Sequence, residues 1–339
     1  MQVPEIKVVP VDPDDEARFH AWHEAISAGR GADRVDPPLW TYPEALASFQ
    51  RRSESLRREA FAAYDGDVVV GGGDLELPLR ENTNLAMFEL AVPPAHRGRG
   101  IGTAMYAYVQ ERARSDGRSS LLTDVSLPDG VEPADWPGIG FLSRRGFTLR
   151  NTEIRRQLRL PIPPAHLDAL AAKAAERASA YQLVSWSGRC PDEYAEQYAQ
   201  LKGLLMKEAP TGDLDYEQEV WDVDRLRETE AYAVAQGRTL HTTIALAADG
   251  VIAGHTQLAV PRHDLGRAFQ WDTLVLTKHR GHRLGLALKV ANTRVLSEQH
   301  PEVGRIDTWN AVQNGPMVAV NVELGFQVVE ESQEWQRDL

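Results

Sequence analysis

Two kinds of residue in this sequence can do chemistry together: a basic, glycine-rich turn and a carboxylate on the apolar stretch leading into it. The turn is His96-Arg97-Gly98-Arg99-Gly100-Ile101-Gly102-Thr103, set between Phe88 to Val92 and a pattern in which Ile101, Met105, Tyr108 and Val109 recur at helical spacing. Glycines there let successive backbone N–H groups converge at the mouth of a helix, whose dipole favours an anion, and Arg97 and Arg99 add positive charge. That combination suits a pyrophosphate. Glu89 sits on the preceding strand, and a carboxylate whose surroundings raise its pKa can take a proton from an ammonium group. The bland readings of the same residues are a tight strand-to-helix connection and a carboxylate paired with an arginine.

The stretch occurs twice. Phe88-Glu89-Leu90-Ala91-Val92 and the turn after it align without a gap on Trp271-Asp272-Thr273-Leu274-Val275 and His279-Arg280-Gly281-His282-Arg283-Leu284-Gly285, a constant offset of 183 residues. The same offset pairs Val70-Gly71 with Ala253-Gly254, so an upstream strand repeats in register and the chain reads as a tandem duplication. Neither turn ends in the Gly-Lys-Ser/Thr of a P-loop, and neither follows the first strand of a βαβ unit as in dinucleotide folds.

Arg97-Gly98-Arg99-Gly100-Ile101-Gly102 resembles the acetyl-CoA loop of the GNAT acetyltransferase superfamily, Gln/Arg-x-x-Gly-x-Gly/Ala, and Leu90-Ala91-Val92 resembles the end of that family's fourth strand. The resemblance implies two tandem GNAT domains, each a mixed α/β (α+β) fold with a mostly antiparallel twisted sheet flanked by helices. It implies acetyl-CoA as co-substrate, held by Ala91, Val92, Arg97, Gly98, Arg99, Gly100, Gly102 and Thr103 in the first copy. In the second copy the matching set is Leu274, Val275, Arg280, Gly281, His282, Arg283 and Gly285, with Asn310 near the cleft and Asn314 placed as a helix cap beside it. A backbone N–H near Ala91-Val92 or Leu274-Val275 is then expected to polarise the thioester, where the family's strand splays. Glu89 and Asp272 become candidate catalytic carboxylates. The family's thiolate-protonating tyrosine has no counterpart: Leu142 and Asn321 stand at its position, and Asn321 can donate a hydrogen bond but is no acid. The expected activity is acetyl transfer to the primary amine of a small molecule by direct attack in a ternary complex. A protein or peptide N-acetyltransferase and a non-catalytic CoA-binding scaffold are the alternatives. The tandem arrangement is similar to that of the mycothiol synthases, in which the carboxy-terminal half is taken as catalytic; the asparagine set favours the second copy for chemistry, and the better loop favours the first for CoA binding.

The elements that must position these residues follow from pattern. Asp12-Pro13-Asp14-Asp15 reads as turn and cap before an amphipathic helix to about Ala28, and Asp65-Gly66-Asp67 reads as a hairpin turn. Domain boundaries are expected at 1–160, a linker helix at 161–180 lying against the first domain, and 181–339, with the second copy's helices reaching about Lys207 and spanning Tyr216 to Gln236. At 339 residues each half can bury a core. The net charge of −12 argues against a nucleic-acid partner. The lone Cys190 excludes a disulfide framework, no ligand spacing suggests a metal, and no apolar run approaches the ~20 residues of a membrane span. Met1 to Glu5 show neither a basic cap nor an apolar run. A cytoplasmic monomer or homodimer is therefore expected.

Overall fold

The computed structural model describes residues 6–208, 212–214 and 216–339, so Met1 to Glu5 lie outside it. In chain order the elements are β1 (Lys7–Val11), α1 (Glu16–Gly31), α2 (Tyr42–Gln50), β2 (Leu56–Asp65), β3 (Val68–Pro78), β4 (Leu85–Ala91), α3 (Ile101–Ser115), β5 (Ser120–Pro128), α4 (Pro137–Ser143) and β6 (Thr148–Arg159). There follow α5 (Pro164–Ala178), β7 (Gln182–Ser187), α6 (Asp192–Gly203), α7 (Leu205–Glu208), α8 (Val223–Ala235), β8 (Arg238–Leu246), β9 (Ile252–Pro261), β10 (Arg267–Val275), α9 (Leu284–Gln299), β11 (Arg305–Ala311), α10 (Gly315–Leu324) and β12 (Gln327–Asp338). This is the mixed α/β order expected, twice over.

Two compact units result: Met1–Thr152 with Glu331–Leu339, and Glu153–Glu330. The chain therefore passes from the first to the second within β6 and returns within β12. In the first unit the strand order is β1-β2-β3-β4-β5, then the end of β12, then the start of β6. Trp335 joins that unit's core, and the Leu339 N–H donates to Ser119 O (2.9 Å). In the second unit the order is β7-β8-β9-β10-β11, then the end of β6, then the start of β12. The last nine residues thus close the first unit, although they follow the second copy in sequence.

In the first unit, α3 buries Ile101, Met105 and Val109 against Phe61, Leu75 and Phe88 on one sheet face, while Phe19, Trp22 and Ile26 of α1 cover the other with Val11 and Ala62. Asp15 caps α1 by accepting from the Arg18 N–H (3.2 Å), as its sequence suggests. Trp22 ties that helix to the sheet through Nε1, which donates to Gly73 O (2.8 Å). Gly29 permits the close approach: a Cβ there would lie 2.8 Å from Ala91 Cβ and 2.9 Å from the Val92 nitrogen. The last turn of α1 is in this way pressed against the end of β4, which delivers Arg30 to Glu89.

In the second unit, α9 packs Leu284, Leu288 and Leu296 against Leu258, Ala268 and Ile306. The linker helix α5 adds Leu167, Leu170 and Ala174 to the same core and so belongs to the second unit. The helix expected from Tyr216 begins only at Val223, because Asp222 caps it by accepting from the Arg225 N–H (2.8 Å), and α6 stops at Gly203.

A charged network is sealed where β6, β10, β11 and β12 meet. Arg155 contacts Asp307 (2.9 Å) and Glu330 (3.0 Å), and Arg267 reaches the other oxygen of Asp307 (3.0 Å), with Arg155, Asp307 and Glu330 at most 1% exposed. Removing one member leaves the others as uncompensated buried charge. Arg155→Ala is accordingly expected to lower unfolding free energy by about 3–5 kcal/mol in urea titration, whereas an exposed pair would give under about 1 kcal/mol.

Candidate active site

The site is made by two strands that start as neighbours and then part. β4 and β5 run parallel with Leu85 beside Ser120, Ala86 beside Leu121 and Met87 beside Leu122, and there the pairing ends although β4 continues to Ala91 and β5 to Pro128. The gap opens into a cleft of about 300 Å³, lined on one side by Phe88 to Val92 and on the other by Thr123 to Ser126. Gly29, Arg30 and Arg34 from the end of α1 and beyond, and Trp136, Pro137 and Phe141 about α4, complete the walls. The irregular segment before α4 supplies part of the apolar wall through Trp136.

Glu89 projects into this cleft on the α1 side, with 26% of its side-chain surface open. Arg30 Nη1 lies 2.5 Å from Glu89 Oε2 but is not aligned for a hydrogen bond. Burial raises the Glu89 pKa; Arg30 opposes that, while Asp124 and Glu76 add to it, and the outcome is about 7. Asp74, directly opposite Glu89 on β3, is pushed well up by its own burial and by Glu89 and Glu76. The carboxyl is therefore poised to exchange a proton near neutrality.

The glycine turn stands at the mouth of the same cleft. Gly98 and Gly100 have φ of 77° and 82°, and a Cβ on Gly100 would meet nothing within 4 Å, so the loop face over α3 is open. Among the described residues no backbone carbonyl accepts from the N–H groups of Gly98 to Gly102. Such a cradle fits an anion at a helix N-terminus. Arg97 braces the turn through Val92 O (3.1 Å) and Asp33 (2.9 Å), and Arg99 pairs with Asp65. Thr103, in the first turn of α3, accepts from Arg145 (2.8 Å). Ala91, Val92, Arg97 and Gly102 line the cleft itself, whereas Gly98, Arg99, Gly100 and Thr103 are exposed at its rim.

The second copy repeats the frame with a different filling. β10 and β11 pair in parallel only as far as Phe269 and Asp307, but Thr308 Oγ1 donates to Gln270 O (3.4 Å) across the parting. Asp272, the counterpart of Glu89, receives Lys202 Nζ at 2.6 Å, a cation from the end of α6 just as Arg30 comes from the end of α1. Burial alone would raise the Asp272 pKa, yet Lys202 and His255 together hold it below the usual carboxylate range. Its turn keeps Arg280 on Val275 O (3.3 Å) and Glu208 (2.6 Å). Arg283 occupies the left-handed cap position (φ 54°) that is glycine in the first copy, and α5 holds its guanidinium through Lys173 O and Glu176, each at 2.6 Å. His282 Nδ1 donates within the loop to the carbonyls of His279 and Arg280 (3.2 Å each). Gly281 and Gly285 remain uncrowded, and Leu274 is buried at the end of β10.

Asn314 caps α10 through Met317 N (3.4 Å), as expected for an amide before that helix. Asn321 is fully buried: it accepts from Lys289 Nζ (2.6 Å) and donates to Asn310 (2.5 Å). Lys289 was not singled out from sequence. It matches Tyr106 of the first copy, and burial drives its pKa down to about 7. Sequence reading also missed Arg30, Asp124 and Lys202; the signal for Arg30 was its place in the last turn of a helix that must cross the carboxylate strand. Cys190 is buried, and burial pushes its thiol up to about 12, an inert setting. Among the described residues no cluster of His, Cys, Asp or Glu stands where it can hold a metal ion, and no helix is long and apolar enough to cross a membrane.

With this geometry in hand, comparison with known proteins is specific. The acetyltransferase (GNAT) family model matches residues 20–147. A tandem GNAT protein from the clavulanic acid biosynthesis pathway, solved without AcCoA, is 28% identical over 98% of both chains, with a TM-score of 0.79. A GCN5-related N-acetyltransferase from Sphaerobacter thermophilus is 15% identical over 99% of this chain and 97% of its own (TM-score 0.65), a likeness of fold alone. So is that to a GCN5-related glucosamine N-acetyltransferase region of a fungal multi-domain protein, 12% identical over 98% of this chain and 38% of that one (TM-score 0.67). No curated protein matches the sequence.

Lys289 allows a test of the second unit's electrostatics. Its folded pKa of about 7 lies below the unfolded value of 10.5, so the unfolded chain binds the extra proton between those limits and stability rises with pH across them. Lys289→Met is expected to stabilise the second unit at pH 6 by on the order of 2–4 kcal/mol and by less than about 1 kcal/mol at pH 10. Thermal unfolding at the two pH values measures this; a gain independent of pH contradicts it.

Proposed function

The chain carries a GNAT acetyltransferase domain within a tandem GNAT architecture, and on that premise we propose that its first unit transfers the acetyl group of acetyl-CoA to the primary amine of a small molecule. GNAT enzymes are acyl-CoA-dependent N-acetyltransferases in general; the acceptor class, the half that works and the residue roles are the proposal. The observation that carries it is Glu89, a carboxyl with a pKa of about 7 in a cleft shared with an open glycine turn.

In this reading Gly98, Gly100 and Gly102 receive the pyrophosphate with Arg97 and Arg99, and acetyl-CoA supplies the thioester that is attacked. A backbone N–H at Ala91-Val92, beyond the last pairing of β4 with β5, faces the carbonyl oxygen and stabilises the charge it gathers. Glu89 takes the proton that an incoming ammonium must lose before its nitrogen can attack. The cleft of about 300 Å³, walled by Trp136 and Phe141, favours a small acceptor over a folded protein surface.

The second unit then keeps the frame without the chemistry. Asp272 is held as a carboxylate by Lys202, Asn321 is occupied by Lys289 and Asn310, and Thr308 bridges the parting strands. This turns the preference for the second copy, drawn from its asparagines, toward the first.

Separate obstruction of the two turns tests the assignment. Gly100→Trp places a bulky residue at φ 82° and is expected to reduce thiol release from acetyl-CoA with free primary amines by more than 100-fold; Gly285→Trp is expected to keep turnover within about threefold of native. Equal loss in both variants, or loss only in Gly285→Trp, would overturn the reading, and acetylation of peptides but of no free amine would replace the acceptor class.

A further inference from the structure

Asp124 is another carboxylate lining the cleft, facing Glu89 across the gap. It is exposed on β5, lines the cleft, and stands two residues beyond Leu122 just as Glu89 stands two residues beyond Met87, the last paired residues of the two strands. Because side chains alternate along a strand, residues two beyond a paired position lie on the same face, so Glu89 and Asp124 occupy matching places on either lip of the gap. The second copy has nothing equivalent: the register beyond Phe269 and Asp307 brings Asn310 to the corresponding place. Two carboxylates across an opening, one of them in a dry setting and the other wet, are suited to different parts of one task.

Resting on the reading above, we propose that Asp124 is the residue that recognises the acceptor's positive charge, so that the acceptor is an aliphatic amine arriving as its ammonium ion. The Asp124 side chain pairs with the R-NH3+ group at the lip of the gap. Glu89, as carboxylate, takes one proton from it, leaving R-NH2 with a free electron pair. That pair forms the N–C bond to the thioester carbonyl carbon, the C–S bond breaks with its electrons leaving on sulfur, and a second nitrogen-bound proton passes to the thiolate. The products are the amide and CoA thiol, and Glu89 returns its proton to solvent.

The charges facing Glu89 make the coupling readable. Arg30 and Arg34 approach from the end of α1 and the segment after it, Asp74 and Glu76 from β3, and Asp124 from β5; Arg58 on β2 pairs with Glu76 (2.7 Å). Asp124 is the member of that set standing on the opposite lip, and its negative charge contributes to the raised Glu89 pKa.

Asp124→Asn, an exposed and nearly isosteric change, tests the proposal in the full chain. With acetyl-CoA and 2-phenylethylamine, a cation at pH 7, KM for the amine is expected to rise at least tenfold while KM for acetyl-CoA is unchanged. With 4-methoxyaniline, uncharged at that pH, the variant is expected to match the native chain. An equal effect on both amines, or none on either, overturns the proposal. A second measurement needs no acceptor: the 13C carboxyl titration of Glu89, assigned by its loss in Glu89→Gln, is expected to show at least threefold weaker proton affinity in Asp124→Asn. An unchanged midpoint overturns the inference alone, whereas native thiol release that survives Gly100→Trp overturns the reading beneath it.

Discussion

When β4 and β5 part beyond Met87 and Leu122, the backbone groups on their facing edges lose each other as partners, and the rest of the first unit is arranged around that loss. Backbone donors and acceptors need partners, and an open gap between strands is stable where water or a ligand can supply them. The antiparallel contacts of β4 with β3 continue to Ala91, which keeps one side of the strand fixed while the other is freed. Gly29 and Trp22 hold α1 against the same strand end, and α3 begins at the turn that follows. A cleft, a carboxylate and an anion cradle are thereby brought to one place by the single event of strands diverging.

Duplication allows the same frame to be seen with its charges changed. In each copy a cation from the end of a helix meets a carboxylate on the strand before the turn, Arg30 with Glu89 and Lys202 with Asp272. Pairing alone does not fix the protonation of the acid. Burial and further carboxylates around Glu89 leave its proton affinity high despite the guanidinium, while Asp272 has an aligned ammonium and His255 to hold its charge. A buried ion pair satisfied on both sides is a structural element; the same pair in acidic surroundings is a proton acceptor.

Much of this was legible in sequence where the cause is local. Positive φ at Gly98 and Gly100, the Asp15 and Asn314 caps and the hairpin about Gly66 follow from residue type and position, and the repeat located both carboxylate strands. What could not be read is non-local. The exchange of β12 and β6 between units leaves no mark, since an alternating strand pairs as readily with either copy's neighbours. Asn321 was singled out by alignment position, but its partner Lys289 lies on another helix, and an asparagine expected near an open cleft is instead fully buried. Asp124 and Arg30 gained meaning only from strand register and helix approach.

The account stands or falls on Glu89 as the group that accepts the amine's proton. Its most direct test is the pH dependence of kcat/KM for acetyl transfer to a free primary amine, in the native chain and in Glu89→Gln. A base with a pKa of about 7 must be deprotonated to work, so the native rate is expected to climb as pH rises through about 7 and then level. In Glu89→Gln that limb is expected to vanish and the plateau to fall by roughly 10²–10⁴-fold. A variant that keeps both the limb and the rate would contradict the assignment and return the chemistry to another group.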